Sequence, residues 1–478
     1  MRVAFARLLF HGAVVGALCA PPGALAGQRA PERHELAEKE ARTAQRIFES
    51  YRRVRLPHTA PHGGPCTVTI GRLCYWDDND DPPLPAEPLS IAAARTRLRA
   101  RLDVAADDAP ESDWILAQRV RYALEDADTA AAEALVSRCA PASWWCHALG
   151  GLVWHELGDE ARSARAFDRA LAQMPDTLRC AWLDVGMWLP SGTDRSMRDA
   201  PCADRPAVAR RLFWLAAPFL TWHAEAVRNE WFARHVMGLV TRGTALANGL
   251  TWGNDVLETS LRFGWPVQWA QEDRAGQIDP LHPPIVGMEP RPSWSFVPAA
   301  RAVGAPPLAS PGDWELSGAT APPMRAAVPG VHRIVPLDVQ IARFRRGSAQ
   351  RVVAAFEVRD SVLIDSAAAG VPAMLLASAP DSTLAVARGP AGALRGALTV
   401  DAPAESALAA VEVVDSAHGL GARWRGGLLP LPAGALVSDL LIGRAGSAPV
   451  PSTLEGALPL AVPTLAVPEG STLALYWE

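Results

Sequence analysis

The sequence predicts a multidomain α + β protein: an N-terminal all-α helical-repeat region followed by a C-terminal antiparallel β-sandwich. Three observations carry this. Between 113 and 275, apolar residues recur at helical spacing, and one stretch has the pattern of a repeated helix pair. From Val331 onward, short alternating apolar runs separated by Gly, Pro, Asp and Ser replace that period. Between the two, 276–330 is rich in Pro and Gly. The chain has 478 residues, room for about two to four domains at roughly 100–200 residues each. Its 49% hydrophobic content is ample for packed cores.

Residues 1–26 read as an export signal. Arg2 and Arg7 form a positive start, Leu8 to Leu18 is a mostly apolar run, and Ala24-Leu25-Ala26 fits a cleavage site before Gly27. The run is shorter than the roughly 20 residues a bilayer span needs. A lipoprotein site at Cys19 competes with this reading, but Leu18 stands where such signals want a small residue. No later segment reads as a transmembrane helix. Peripheral envelope association stays open. The expected location is outside the cytoplasm, in the periplasm or at the outer membrane.

Residues 27–112 form an N-terminal helix, Glu32 to Arg53, followed by a loop held by cysteines. Of seven cysteines, six follow the signal, in three close pairs: Cys66 with Cys74, Cys139 with Cys146, and Cys180 with Cys202. None lies in C-x-x-C or zinc spacing, and an oxidising compartment favours disulfides. The three local bridges are therefore expected. The run Asp77-Asp78-Asn79-Asp80-Asp81 alternates like the start of a calcium loop. Pro82 and Pro88 stand where such a loop needs glycine and glutamate, so it reads as a solvated acidic turn.

Residues 113–275 are helical. Gly151, Trp154, Ser163, Phe167, Ala170 and Pro175 resemble the tetratricopeptide repeat in spacing, with Gly158-Asp159 as the turn. Small residues let two antiparallel helices approach, and aromatic residues fill the gap beside them. Trp114, Tyr122 and Ala134-Leu135 resemble a degenerate earlier copy. Two copies are fewer than an independent solenoid needs, so they are expected to pack on other helices.

Residues 276–330 are a linker or an extended segment pinned by Trp294 and Trp314. Residues 331–478 carry the strands expected of the sandwich: Val331–Phe344, Val352–Val358, Met374–Ala379, Leu394–Val400, Leu408–Val414, Leu436–Ile442 and Thr472–Trp477. The last runs to Glu478 with no turn after it. It is either paired inside the sandwich, the expected outcome, or an edge lacking its partner strand.

Composition excludes several chemistries. The net charge of -5 argues against binding nucleic acid through its phosphates. Lys39 is the single lysine, placed in a charged helical stretch, so P-loop, kinase-type and Schiff-base chemistry have no other lysine to use. There is no G-x-S-x-G, H-E-x-x-H or G-x-G-x-x-G. His155-Glu156 opens like a zinc motif, but Asp159 stands at the second ligand position. No metal or cofactor is expected.

The densest constellation of charge among aromatic residues runs from Arg211 to Trp269. Its candidate binding residues are Arg228, Glu230, Arg234, Trp252, Asp255, Glu258, Arg262 and Trp265. Glu230 precedes Arg234, and Glu258 precedes Arg262, by one helical turn. Such a set is either a buried ion-pair cluster at a domain junction or a polar cleft. Arg211-Leu212-Phe213-Trp214, the stretch 229–236, Trp252-Gly253-Asn254-Asp255 and Arg262-Phe263-Gly264-Trp265-Pro266 resemble the GWxTD domain of exported bacterial proteins. Thr251 and Asn254 depart from that family's signature. The resemblance implies export, helical repeats before the domain and a β-sandwich after it. It implies no activity.

Two functions are expected from these residues. The first is an exported, non-enzymatic envelope protein that scaffolds a protein partner through its helical repeat and sandwich. The second is an exported hydrolase or carbohydrate-binding protein using Trp252, Asp255, Glu258 and Arg262, since tryptophans stack on sugars and paired carboxylates hydrolyse them. An open pocket shared by these residues would favour the second. Internal pairing would favour the first.

Overall fold

In a computed structural model, the structure describes residues 22–478 apart from 63, 78–81, 139–141, 274–283, 317–321, 360–369, 433, 436, 446–450, 465 and 467–468. Helices dominate the first part and strands the second, a mixed α + β arrangement. The helices are α1 (Pro22–Arg53), α2 (Leu89–Asp108), α3 (Asp113–Glu125), α4 (Thr129–Ser137), α5 (Trp144–Glu156) and α6 (Glu160–Gln173). Short α7 (Asp176–Trp182) and α8 (Arg195–Arg198) lead to α9 (Arg205–Ala216), α10 (Ala226–Thr241) and α11 (Asn254–Phe263).

Local chemistry punctuates the array. Four successive helices begin on a side chain that accepts a free first-turn N–H. Ser112 caps α3, Asp128 caps α4, Ser143 caps α5 and Asp159 caps α6. α1 to α6 then pack each on the next. α10 is buried on nearly every side and serves as the axial helix of this half, resting on α5 and α6.

The α5–α6 pair shows why its small residues matter. Ser163 Oγ donates to the Gly151 carbonyl at 2.8 Å, and Phe167 is fully buried beside them. A Cβ on Gly151 would lie 2.5 Å from the Phe167 ring. Gly151→Ala is therefore expected to overpack the pair and cost about 1–3 kcal/mol, read as a lowered Tm. An unchanged Tm would contradict this contact.

Between α1 and α2 run β1 (His58–Thr59), β2 (Val68–Ile70) and β3 (Leu73–Tyr75). The β2–β3 hairpin carries the Cys66–Cys74 disulfide. It docks on α11, where Tyr75 stacks on Phe263 with ring centroids 3.8 Å apart. Cys180 and Cys202 also form their expected disulfide. Cys146 is disulfide-bonded, and Cys139, its expected partner, lies outside the described residues. Of the acidic run, Asp77 pairs with Arg325 at 2.9 Å, and 78–81 lie outside the described residues. The Cys180–Cys202 loop closes over 22 residues, so Cys180→Ala is expected to cost about 3 kcal/mol in denaturant melts. Under reductant the wild type should fall by at least the same amount, because the other bridges open too.

The Pro/Gly-rich segment is built into the molecule. Just before it, β4 (Gln268–Glu272) closes the helical stretch, and the segment itself contains β5 (Ile285–Met288), β6 (Ser293–Trp294), α12 (Ala300–Gly304) and β7 (Ala326–Ala327). Trp314 is buried, and Trp294 packs on the helical core. Arg211 of α9 donates to the Val303 and Gly304 carbonyls at 2.8 Å, holding the end of α12.

The strand region contains β8 (Arg333–Arg346), β9 (Ala349–Val358), β10 (Val371–Ala379), β11 (Ser382–Arg388), β12 (Arg395–Pro403), β13 (Ala407–Asp415) and β14 (Leu420–Leu428). They form one sheet in the order β11-β10-β13-β14-β8-β9-β12, antiparallel except for β14 beside β8. β8 is the hinge: its first residues pair with β14 and the rest with β9. The sheet curls so far that β11 comes to lie beside β12, giving a nearly closed, barrel-like shape where two separate sheets were expected. Val352, Phe356, Met374, Leu398, Val411 and Leu420 fill its interior. β11 and β14 were not foreseen. β14 reads Leu-Gly-Ala-Arg-Trp-Arg-Gly-Gly-Leu, whose glycines and arginines mimic a loop. A separate two-stranded sheet pairs β15 (Leu441–Arg444) with β16 (Leu473–Tyr476), and α13 (Leu454–Ala457) lies between them in the chain.

Candidate functional site

The candidate residues fall on three structural positions. On α10, Glu230 and Arg234 are buried at the heart of the helical half. His155, near the end of α5, is the link the sequence did not reveal. Its Nε2 meets Glu230 at 2.6 Å, and its Nδ1 meets Glu160 at 2.9 Å. Burial alone would push this imidazole down. The two carboxylates outweigh it and hold the pKa up at about 10, so both ring nitrogens carry protons and donate. Glu230 also accepts from Arg234 Nε at 2.8 Å. Burial would raise its pKa, but Arg234 and His155 hold it far below the ordinary carboxylate range. Asn229 Nδ2 completes the group, donating to the Glu160 carboxylate at 2.6 Å. Two cations thus stand between two anions, nearly dry.

Arg234 spends its remaining donors on backbone. Nη1 reaches the carbonyls of Leu261 (3.0 Å) and Arg262 (2.9 Å), and Nη2 reaches that of Arg325. These carbonyls lie at the end of α11, so one guanidinium ties α10, α11 and β7's approach together. Arg228, nearly two turns earlier, points elsewhere: it pairs with Asp168 of α6 and lies over the Phe232 ring.

The second position is the start of α11. Asp255 receives Arg72 of the β2–β3 turn through Nε (2.7 Å), Nη2 (2.8 Å) and the Arg72 N–H (3.2 Å). Those hydrogen bonds hold the Asp255 carboxyl well below its usual range. Trp252, half-buried, reaches toward Gly238 of α10. The third position is the outer side of α11. Glu258 approaches Arg262 at 3.4 Å, and Arg262 donates to the carbonyls of Pro323 (3.0 Å) and Pro322 (2.9 Å). Trp265 packs on the helical core.

The structure therefore brings Glu230 with Arg234, Asp255 with Arg72, and Glu258 with Arg262, but does not gather them around a common opening. Each carboxylate is occupied by a cation of its own chain. Among the described residues, no group of three or more His, Cys, Asp and Glu could hold a metal ion. An open groove of about 500 Å³ lies between α9 and the β10–β11 turn, lined by Met197, Val208, Arg210, Arg211, Pro380 and Asp381. None of the candidate residues lines it.

Two further clusters escaped the sequence reading. Arg52, Arg95 and Arg121 interlock with Glu49, Glu87, Glu125 and Asp126 where α1, α2 and α3 meet. Tyr122 donates to Glu49 at 2.7 Å and accepts from Gln45 at 3.1 Å. At the junction with the sheet, Glu412 of β13 accepts the N–H groups of Leu220 and Thr221, both at 2.8 Å. Arg425 of β14 meets Glu412 at 3.4 Å and donates to the carbonyls of Leu215 (3.0 Å) and Ala217 (2.7 Å). Both side chains are fully buried. Gly427 lets this face close: a Cβ there would lie 2.2 Å from the Pro307 carbonyl oxygen.

His235 is a different kind of group. Its ring stacks on Trp182 (5.2 Å) and meets Trp231 edge-on (4.6 Å). Burial pushes its pKa down to about 3, so it stays neutral, and its Nε2 has no hydrogen-bond partner among the described residues. It behaves as one more ring of the aromatic core. Compared with protein-family models, with curated proteins and with solved structures, the chain finds no match in any of the three.

Proposed function

We propose that this is an exported, non-enzymatic envelope protein whose helical array and curled sheet together scaffold a protein partner. One observation carries the reading. The charged residues that look most like a site in the sequence are spent on internal pairs and backbone carbonyls, with Asp255 on Arg72, Glu258 on Arg262, and Glu230 on His155 and Arg234. A hydrolase needs carboxylates that face its substrate, and these face arginines. The Cys66–Cys74 and Cys180–Cys202 disulfides are compatible with an oxidising compartment. Among the described residues, no helix is long and apolar enough to cross a membrane. We read the chain as a GWxTD-like protein on the strength of residues 200–270. In this reading Asp255 and Arg234 serve as the struts that fix the motif's helix, and the two halves of the curled sheet, sharing β8, stand for the family's sandwich.

The test is fractionation of the tagged full chain in its own cells, with cross-linking before lysis. Recovery outside the cytoplasm, with oxidised cysteines and a stoichiometric cross-linked protein, is the expected result. A cytoplasmic, reduced product would overturn export. Glycan hydrolysis by the purified chain that is lost in Glu258→Gln would overturn the non-enzymatic assignment and establish the carbohydrate reading.

A further inference from the structure

The groove between α9 and the β10–β11 turn has the size and make-up of a small-molecule site. Its volume, about 500 Å³, falls inside the roughly 300–1,000 Å³ of ligand pockets. Such pockets favour junctions between structural units. Here a helix of the first half faces a hairpin of the curled sheet. Met197, Ala207 and Val208 line one wall, and Ala379 and Pro380 line the other. Met197 and Val208 reach it from the margin of the helical core.

Charge is set unevenly around this apolar surface. Arg210 and Arg211 line the groove, and Asp381 is the one carboxylate to do so among the described residues. Arg210 meets Asp381 at 3.2 Å, but the two side chains are 61% and 76% exposed, so the pair is weak and opens readily. Arg211 pairs with no carboxylate among the described residues. Its Nε and Nη2 donate to the Val303 and Gly304 carbonyls at 2.8 Å, which leaves Nη1 without an acceptor there. Carbonyls satisfy donors without cancelling the charge. Burial accordingly lowers the Arg211 pKa, with no acidic neighbour to raise it, whereas carboxylates hold those of Arg52, Arg95 and Arg121 up. Charges taken out of water are ordinarily paired, and at Arg211 the anion is missing among the described residues.

We propose that this groove binds a small amphipathic carboxylate, an aliphatic acid whose head lies on Arg211 and Arg210 and whose tail lies along Met197, Val208, Ala379 and Pro380. A guanidinium presents its N–H donors as a fork that matches the two oxygens of a carboxylate. Nη1 of Arg211 and the donors of Arg210 that Asp381 does not use supply those contacts. The walls are a helix and a hairpin turn bearing Pro380, a poor template for adding a peptide strand, which favours a small molecule over an extended chain. The groove is open, so part of the tail stays wet and the affinity is moderate.

Isothermal titration of the full chain with decanoate tests this. Saturable binding at one site is expected, with a Kd on the order of 10–100 µM. Octanoate, shorter by two methylenes, should bind about fivefold more weakly. Decylammonium, with its charge reversed, should bind roughly tenfold more weakly or worse.

Ala207→Glu sets a carboxylate one helical turn before Arg211, so the chain itself supplies the anion that the ligand would bring. It should weaken decanoate binding roughly tenfold or more, while the neutral Ala207→Gln should change it by less than about twofold. Ala207 is exposed, so neither variant should shift Tm. Asp381→Asn removes the competing carboxylate and should tighten binding roughly two- to fivefold, a gain that loss of structure could not give. No saturable binding below about 1 mM, equal affinity for decylammonium, or an affinity indifferent to both Ala207→Glu and Asp381→Asn would each overturn the proposal. Binding of a peptide with a free C-terminal leucine in place of decanoate would overturn it too, and would assign the groove to a protein partner.

Discussion

Glu230→Ala is expected to destabilise the protein by about 3–5 kcal/mol, among the largest losses from any single side chain. The carboxylate sits between His155 (2.6 Å) and Arg234 (2.8 Å), and its removal leaves two cations in the dry core, His155 still held by Glu160 and Arg234 without its carboxylate. Replacing His155 gives the complementary result through pH. Its pKa rises from about 6.5 in the unfolded chain to about 10 in the fold. The folded state therefore holds a proton that the unfolded state releases. Its contribution is fully present below about pH 6.5 and is lost as pH climbs toward 10. Urea melts from pH 6 to 10 should show stability falling with pH in the wild type, and a flatter profile in His155→Gln. An equal slope in both would show that the imidazole is uncharged in the fold.

Glu412→Ala is expected to cost a similar 3–5 kcal/mol, but at the junction. It strands Arg425, which is fully buried, and leaves the N–H groups of Leu220 and Thr221 without an acceptor. The apolar part of the junction, Leu215, Ala217, Leu220 and Trp314 against Leu375, Leu408 and Ala410, would remain. Cleavage in the stretch that follows α9 should therefore accelerate before the sheet melts. The double variant Glu412→Leu/Arg425→Met should recover much of the loss, because it removes both charges together. Failure of the double variant to recover would assign the cost to the backbone contacts of Leu220 and Thr221.

These two positions also show what the sequence could and could not reveal. Local features were legible. The Cys66–Cys74 and Cys180–Cys202 bridges join near neighbours, and the Gly151–Ser163 contact lies within one helix hairpin, so short spacing was enough. The division into helices and then strands followed from a change of period. Charge pairing across elements was not legible. Glu49, Arg95 and Arg121 come from three helices and meet through the packing of α1 to α3. Glu412 sits in a strand buried on both faces, because the helical half covers the face that a lone sheet would turn to water. A reading by alternation expects one wet face there. His155 looked like half of a zinc motif, yet its partners are Glu160 across a turn and Glu230 from a helix 75 residues away. Asp255 and Arg262 lie on one helix, α11. Their partners, Arg72 and the Pro322–Pro323 carbonyls, belong to distant stretches of chain.

The helical core draws on residues from Ala117 to Val414. A chain made, or threaded across a membrane, from its N-terminus onward cannot finish that core when its helices have emerged. Phe296, Val303, Met324, Val328 and Val331 must arrive first, and Val414 last of all. Until then, the sides of α9 and α10 that these residues cover stay open. The growing chain must therefore wait, its core unfinished, through about 150 residues of further synthesis between Phe263, the end of α11, and Val414, which makes it a natural client of holding chaperones. Its folding is a late, collective event, and a fragment ending before the sheet would be a sticky intermediate in place of a domain.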